Sequence, residues 1–128
     1  MDDSGHRELA HPLMSFDTGA EIAKLKAGPQ WRSGSRAAIT LVKNDAIRLV
    51  LVALHKGAII HEHHAEGPIT FAVLEGSIRF SAGGDSRTLG RGAILTLADG
   101  ITHEVEALED SAFALTVVQP ARQAHIKP

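Results

Sequence analysis

Short hydrophobic segments alternate with turn residues along most of the chain. From residue 37 onward, turn-forming pairs such as Gly83-Gly84 and Asp99-Gly100 separate these segments. One apolar segment about every ten residues is typical of an all-β sandwich or barrel. The predicted strands cover residues 37–43, 46–55, 58–63, 68–75, 77–82, 86–89, 93–98, 102–107 and 111–118.

The first 35 residues have a different pattern. Asp17 or Thr18 can serve as the N-cap of a short helix over residues 18–27, and Gly28-Pro29 ends it. Helical periodicity is missing after residue 28. We therefore divide the chain into an N-terminal arm with a short helix (1–35), a barrel (36–120) and a C-terminal tail (121–128).

A single tryptophan, Trp31, follows the predicted helix in a polar segment that we interpret as a turn. Such a side chain packs its ring against a sheet edge or a partner chain, and stacking on a ligand is the alternative. His55 stands at the end of a predicted strand, where we expect it to face solvent.

Composition narrows the function classes. The 128 residues are 44% hydrophobic, which is enough for the core of one domain. A net charge of −2, a pI near 6.4 and few aromatic residues argue against nucleic acid and anionic membranes as partners. There is no cysteine, no signal-peptide pattern and no apolar run of about 20 residues, so we predict a cytoplasmic protein that spans no membrane.

Histidines supply the candidate chemistry. His61, His63 and His64 fall within four residues, and His103 lies in a later predicted strand. Alternate residues of a strand share a face, with Cα atoms about 6.6 Å apart, so His61 and His63 are expected to face one cavity. With His103 from a neighbouring strand, three imidazoles would suffice for a metal site with an open position.

Two segments resemble the paired motifs of the cupin superfamily. Gly57 and Gly76 match the glycines that open and close the first motif, and His63 matches its first histidine. Ala65 replaces the second histidine, and Ile69 replaces the glutamate.

The second motif is matched by three residues, Gly92, Gly100 and His103. Ala98 stands in place of its proline and Ala107 in place of its asparagine. The chain therefore resembles a small single-domain protein of the cupin-2 type with a degenerate metal motif. The resemblance implies an all-β fold, a double-stranded β-helix or jelly-roll barrel with a short N-terminal helix.

In the superfamily, four motif positions bind metal, and His63 and His103 are the two that this chain retains. His61 is the candidate replacement ligand. The resemblance implies one divalent transition metal, either iron, manganese, nickel or zinc, held by His61, His63 and His103. A metal-free pocket that uses the same histidines is the alternative.

The lost glutamate position has apolar neighbours of the same strand parity. Ile69 and Phe71 share its face, and Val105 shares that of His103. An apolar floor with imidazoles favours a small, partly hydrophobic ligand. The predicted pocket consists of His61, His63, Ile69, Phe71, His103 and Val105.

Three functions fit these observations. The first is a small-molecule-binding barrel, which the incomplete ligand set favours. The second is a metal-dependent cupin enzyme of the oxygenase or isomerase type that uses His61, His63 and His103 as ligands. The third is an assembly module, in which edge strands pair with a second copy. A homodimer is predicted and is compatible with all three.

Overall fold

The computed structural model of the protein describes residues 12–62 and 67–119, and within them two helices precede nine strands. The helices are α1 (Thr18–Ala27) and α2 (Pro29–Ser33). The strands are β1 (Arg36–Lys43), β2 (Ile47–Leu54), β3 (Ile59–Glu62), β4 (Ile69–Glu75), β5 (Ser77–Ala82), β6 (Asp85–Gly90), β7 (Ile94–Leu97), β8 (His103–Ala107) and β9 (Ser111–Val118). The boundaries predicted from turn residues agree with these to within one residue.

The strands form two antiparallel sheets that pack face to face. The five-stranded sheet has the order β1-β2-β9-β4-β7, and the four-stranded sheet has the order β3-β8-β5-β6. Phe71 of the first sheet and Phe80 of the second are in edge contact, with ring centroids 5.0 Å apart. The predicted fold class, an all-β double-sheet jelly roll with a short N-terminal helix, is confirmed.

The five-stranded sheet is apolar on both faces. Its inner face joins the four-stranded sheet in an inner core, and its outer face joins α1 in an outer core. The inner core contains Val50, Val52, Leu54, Ile69, Phe71, Val73, Ile78, Phe80, Val105, Ala107, Phe113 and Val117. The outer core contains Ile22, Leu41, Val42, Leu51, Ala53 and Ala112.

The predicted helix over residues 18–27 is confirmed. Asp17 is its N-cap and accepts a hydrogen bond from the backbone N–H of Ala20 at 3.0 Å. The N–H of Gly28 donates to the carbonyl of Leu25 and ends the helix. The segment that we interpreted as a turn is the short helix α2, which begins at Pro29. Proline is favoured at the first position of a helix, because the N–H that it lacks would have no intrahelical partner there.

The sequence predicted that His55 faces solvent, but the structure shows it half-buried. Its ring stacks on that of Trp31, with centroids 3.5 Å apart, and its Nε2 lies 2.8 Å from the Trp31 carbonyl oxygen. The Lys26 ammonium lies 5.5 Å from the Trp31 ring centroid and forms an ion pair with Glu75. These contacts fasten the helices to the end of β2 and to β4.

Gly76 lets the chain pass from one sheet to the other. It has φ 77°, and a Cβ atom there would lie 2.3 Å from the Asp110 carbonyl oxygen. The adjacent Ser111 is fully buried, and its Oγ accepts a hydrogen bond from the Ser77 N–H at 3.0 Å.

Within residues 12–62 and 67–119, no helix is long and apolar enough to cross a bilayer.

Candidate functional site

A cavity of about 590 Å³ lies between the two sheets. Its wall is largely apolar, because strands of both sheets turn their inner-core side chains toward it. The aromatic part of the wall is formed by Phe71 and Phe113, whose ring centroids are 4.8 Å apart. Val52, Ile69, Val105 and Leu115 provide aliphatic surface beside them.

Strand register arranges these side chains in layers. Val52 of β2 pairs with Phe113 of β9, which pairs in turn with Val73 of β4. Arg48 precedes Val52 by four residues on β2 and lies in the outermost layer, where it pairs with Val117 of β9. The cavity therefore passes from an apolar interior to a layer that carries a guanidinium group.

Tightly packed backbone surrounds that outermost layer. We call this region the rim and define it as Ala46, Gly67, Pro68, Val118 and Gln119. The Gln119 N–H donates to the Ala46 carbonyl at 2.7 Å, and the Val118 N–H donates to the Pro68 carbonyl at 3.0 Å. A Cβ atom on Gly67 would lie 1.8 Å from the Val118 carbonyl oxygen, so only glycine fits there without movement.

His103 is the buried polar residue of the cavity wall, with 6% of its surface exposed. Its ring stacks on Phe80, with centroids 5.4 Å apart and an interplanar angle of 10°. It also meets Phe71 edge-on, at a centroid distance of 6.3 Å. The two phenyl rings therefore fix the orientation of the imidazole.

One hydrogen bond determines which nitrogen of His103 is available. Nδ1 lies 3.2 Å from the Ile101 carbonyl oxygen, which can only accept. Nδ1 must therefore carry the proton, and in the neutral ring Nε2 keeps its lone pair. Within the described residues no hydrogen bond to Nε2 is formed, so Nε2 can accept a hydrogen bond from a ligand or coordinate an ion.

The structure brings four of the residues chosen from the sequence to this cavity. Ile69 and Phe71 line it from β4, and His103 and Val105 line it from β8. The alternation of apolar residues in these two strands was sufficient to group them. His63 lies outside the described residues.

His61 is placed elsewhere, which differs from the expectation that it faces into the barrel. It pairs with Glu104 on β8, whereas His103 pairs with Glu62. Residues directly opposite in antiparallel strands share a face, so His61 and His103 lie on opposite faces of the four-stranded sheet. The His61 side chain is 75% exposed, and its Nδ1 lies 3.0 Å from a Glu104 carboxylate oxygen.

The proposed metal ligands are thus not brought together in the part of the chain that the structure describes. Between residues 12 and 62 and between 67 and 119, no group of three or more His, Asp or Glu side chains could hold an ion. His103 contributes one imidazole nitrogen to the cavity. Metal binding that involves His63 stays a prediction.

Two arginines at the cavity were missed from the sequence. Arg36 of β1 and Arg48 of β2 both line it. β2 is largely apolar on both faces, so the alternation of its residues did not show which face Arg48 shares. A usable signal was that Arg48 shares its parity with Val50 and Val52, which belong to the inner core.

The charges of the cavity contrast with those on the outside of the four-stranded sheet. On the outside, Arg79 pairs with Glu106 across β5 and β8, with a nitrogen–oxygen distance of 2.8 Å. Among the described residues that line the cavity, Arg36 and Arg48 are charged and no carboxylate is present. The cavity therefore has a cationic character that the net charge of −2 does not suggest.

Comparison with known proteins identifies the fold. A cupin-2 domain protein from Shewanella frigidimarina superposes with a TM-score of 0.64 at 15% identity, covering 81% of this chain and 94% of that one. An RmlC-like cupin from the same organism gives 0.63 at 20% identity, covering 73% and 83%. Salicylate 1,2-dioxygenase from Pseudoaminobacter salicylatoxidans gives 0.61 at 17% identity, covering 78% of this chain and 29% of that one.

Two of these solved structures are named as cupins, and the chain has the cupin fold. No family model matches the sequence, and no curated protein is significantly similar to it. The fold likeness agrees with the resemblance drawn from Gly57, Gly76, Gly92, Gly100 and His103.

Proposed function

We propose that this protein binds a small, mainly apolar molecule in the cavity between its two sheets. The observation that carries the proposal is an apolar cavity of about 590 Å³ with a buried, oriented imidazole in its wall. Ligand sites typically measure about 300–1,000 Å³ and combine apolar walls with a few placed polar groups. The cavity has these properties.

The apolar wall supplies the affinity. Burial of apolar ligand surface against Phe71, Phe113 and Leu115 is worth about 25 cal/mol per Å² removed from water. Rings that already pack against one another lose little freedom when a ligand binds, so this wall is preorganised.

His103 supplies orientation. Because Nδ1–H is held by the Ile101 carbonyl, Nε2 is the atom that accepts a hydrogen bond from a hydroxyl or N–H group of the ligand. The stack on Phe80 fixes the plane of the ring, and the hydrogen bond to the Ile101 carbonyl fixes which nitrogen faces the cavity. This arrangement selects ligands that carry a donor at a defined position.

One observation favours the alternative, a metal-dependent enzyme. Metal-ligating histidines commonly donate their other N–H to a carbonyl or carboxylate, as Nδ1 of His103 does. A divalent iron, manganese, nickel or zinc ion would supply a Lewis acid with open positions for an oxygenase or isomerase reaction. Its remaining donors would have to come from residues outside the described part, His63 first among them.

Filling the cavity tests the binding function. Ala38 lines the cavity from β1, while Thr88 faces outward on β6, so Ala38→Trp and Thr88→Trp add the same ring inside and outside. A thermal-shift screen with small aromatic and branched aliphatic compounds should find ligands that raise the Tm of the wild type and of Thr88→Trp. Ala38→Trp should lose that response.

The opposite result would be a ligand response that survives Ala38→Trp and also His103→Gln, which would place binding outside this cavity. Elemental analysis of untagged protein tests the alternative, which requires near-stoichiometric metal that His103→Gln removes. The predicted homodimer and its cytoplasmic location stay predictions, and light scattering tests the first of them.

A further inference from the structure

We propose that the ligand of this cavity carries a carboxylate, which Arg48 binds beside the rim while the apolar body of the ligand extends toward Phe113. The inference rests on the proposed binding function and names the chemical class that the site takes. It is drawn from the charges on the inner face of β1 and β2.

A β-bulge places two cations side by side at the end of the β1–β2 pairing that contains Lys43 and Arg48. In β1 the pairing register shifts between Thr40 and Val42, so that Lys43 is directly opposite Arg48. Leu41 and Val42 are both buried in the outer core, and the extra residue returns Lys43 to the inner side. Bulges commonly redirect a side chain next to a functional site.

Like charges directly opposite each other destabilise a sheet. Elsewhere this chain avoids such pairs, because Arg79 is opposite Glu106 and His61 is opposite Glu104, both within ion-pair distance. Within the described residues, neither Lys43 nor Arg48 forms an ion pair, although Asp45 lies in the turn between them. An anion bound at this position would relieve the repulsion.

The shape of the site favours a carboxylate on an apolar body. Arg48 lines the cavity together with Val117 and Ile69, so an anion that contacts its guanidinium has apolar surface directly behind it. A guanidinium binds a planar carboxylate through two parallel hydrogen bonds. Arg36, the other charged residue of the wall, is opposite Leu54, at the far end of β2 from Arg48, and is therefore not part of this carboxylate site.

Matched probes test the charge of the ligand. Isothermal titration calorimetry of the full chain at low ionic strength would compare 4-(hydroxymethyl)benzoate, 4-(hydroxymethyl)benzamide and 4-(hydroxymethyl)phenyl phosphate, which all carry the hydroxyl donor that His103 is proposed to bind. We expect the benzoate to bind at least tenfold more tightly than the amide and more tightly than the phosphate. Arg48→Gln should reduce the preference over the amide to about twofold, whereas Arg79→Gln should leave it unchanged.

A second readout does not depend on any ligand. Because Arg48 opposes Lys43, Arg48→Gln and Lys43→Gln should each raise the Tm of the ligand-free protein, and addition of salt should reduce that gain. An arginine that served only the fold would instead lower the Tm when replaced.

The outcomes distinguish failure of the carboxylate inference from failure of the proposed binding function. Equal binding of benzoate and amide, lost in Ala38→Trp, would overturn the carboxylate and leave the binding function intact. Tighter binding of the phosphate would also overturn it. Absence of binding by all three probes would also overturn the carboxylate inference, and so would a lowered Tm in Arg48→Gln. The screen with Ala38→Trp would then decide on the binding function.

Discussion

The two faces of the five-stranded sheet are built from the same strands but serve different ends. On the outer face, Leu51 and Ala53 are sealed by α1 through Ile22. On the inner face, Val52 and Phe113 meet a cavity that the opposite sheet does not fill. Apolar strand composition is thus common to both faces, and the difference lies in how completely the facing layer fills the space.

The charges follow the same division. On the outer side of the four-stranded sheet, basic and acidic side chains pair across strands, as in Arg79 with Glu106. Such pairs near the surface each contribute about 0–1 kcal/mol. On the inner side of the five-stranded sheet, Arg48 is opposite Lys43. This like-charged pair lies where Arg48 meets the cavity, the position at which we propose that an anion binds.

Truncating one large residue on each face gives the largest expected effect. Leu51→Ala and Phe113→Ala each remove a side chain that is 1% exposed, and losses of about 2–5 kcal/mol in the free energy of unfolding are expected. Urea denaturation measures both. Ligand affinity in the folded fraction should fall for Phe113→Ala and stay constant for Leu51→Ala, and equal loss in both variants would contradict the division between the faces.

Trp31→Ala tests how the outer face is sealed. It removes the stack on His55 and the Lys26 contact, and we expect a loss of about 2 kcal/mol, because stacked rings and partly exposed cation–π contacts each contribute about 1 kcal/mol. Chemical denaturation followed by far-UV circular dichroism checks this. The cavity lies on the other side of the sheet, so a changed ligand affinity would show that the two faces are coupled.

The smallest effect is expected from Glu75→Gln. Its ion pair with Lys26 joins two side chains that are 43% and 33% exposed, and solvent screening limits the expected loss to less than about 1 kcal/mol. Denaturation at low and high salt should show the difference disappear as salt increases. A loss as large as that of Trp31→Ala would mean that the ion pair, rather than the aromatic stack, holds the helices.

The strands and most of the cavity wall could be predicted because both depend on local sequence. Apolar alternation in β4 and β8 grouped Ile69, Phe71, His103 and Val105, and the structure brings them together. The resemblance to cupins could be read from glycines such as Gly76, whose backbone conformation few other residues adopt.

Other features depended on pairing between distant segments. The stack of Trp31 on His55 joins residues 24 positions apart, and nothing in either local segment indicates it. The bulge that turns Lys43 toward Arg48 is a feature of the β1–β2 pairing, in which Leu41 and Val42 are both buried. An unbroken apolar run such as 46–55 does not reveal where such a shift occurs.

By itself, the sequence determined the number and limits of the strands, the first helix and the presence of a histidine on the apolar face of a strand. Alternation states which residues share a face, because side chains on a strand point to opposite sides in turn. Alternation does not state which face is inside. The pairing of β3 with β8 decided that, by placing His103 opposite Glu62 and so leaving His61 on the outer surface.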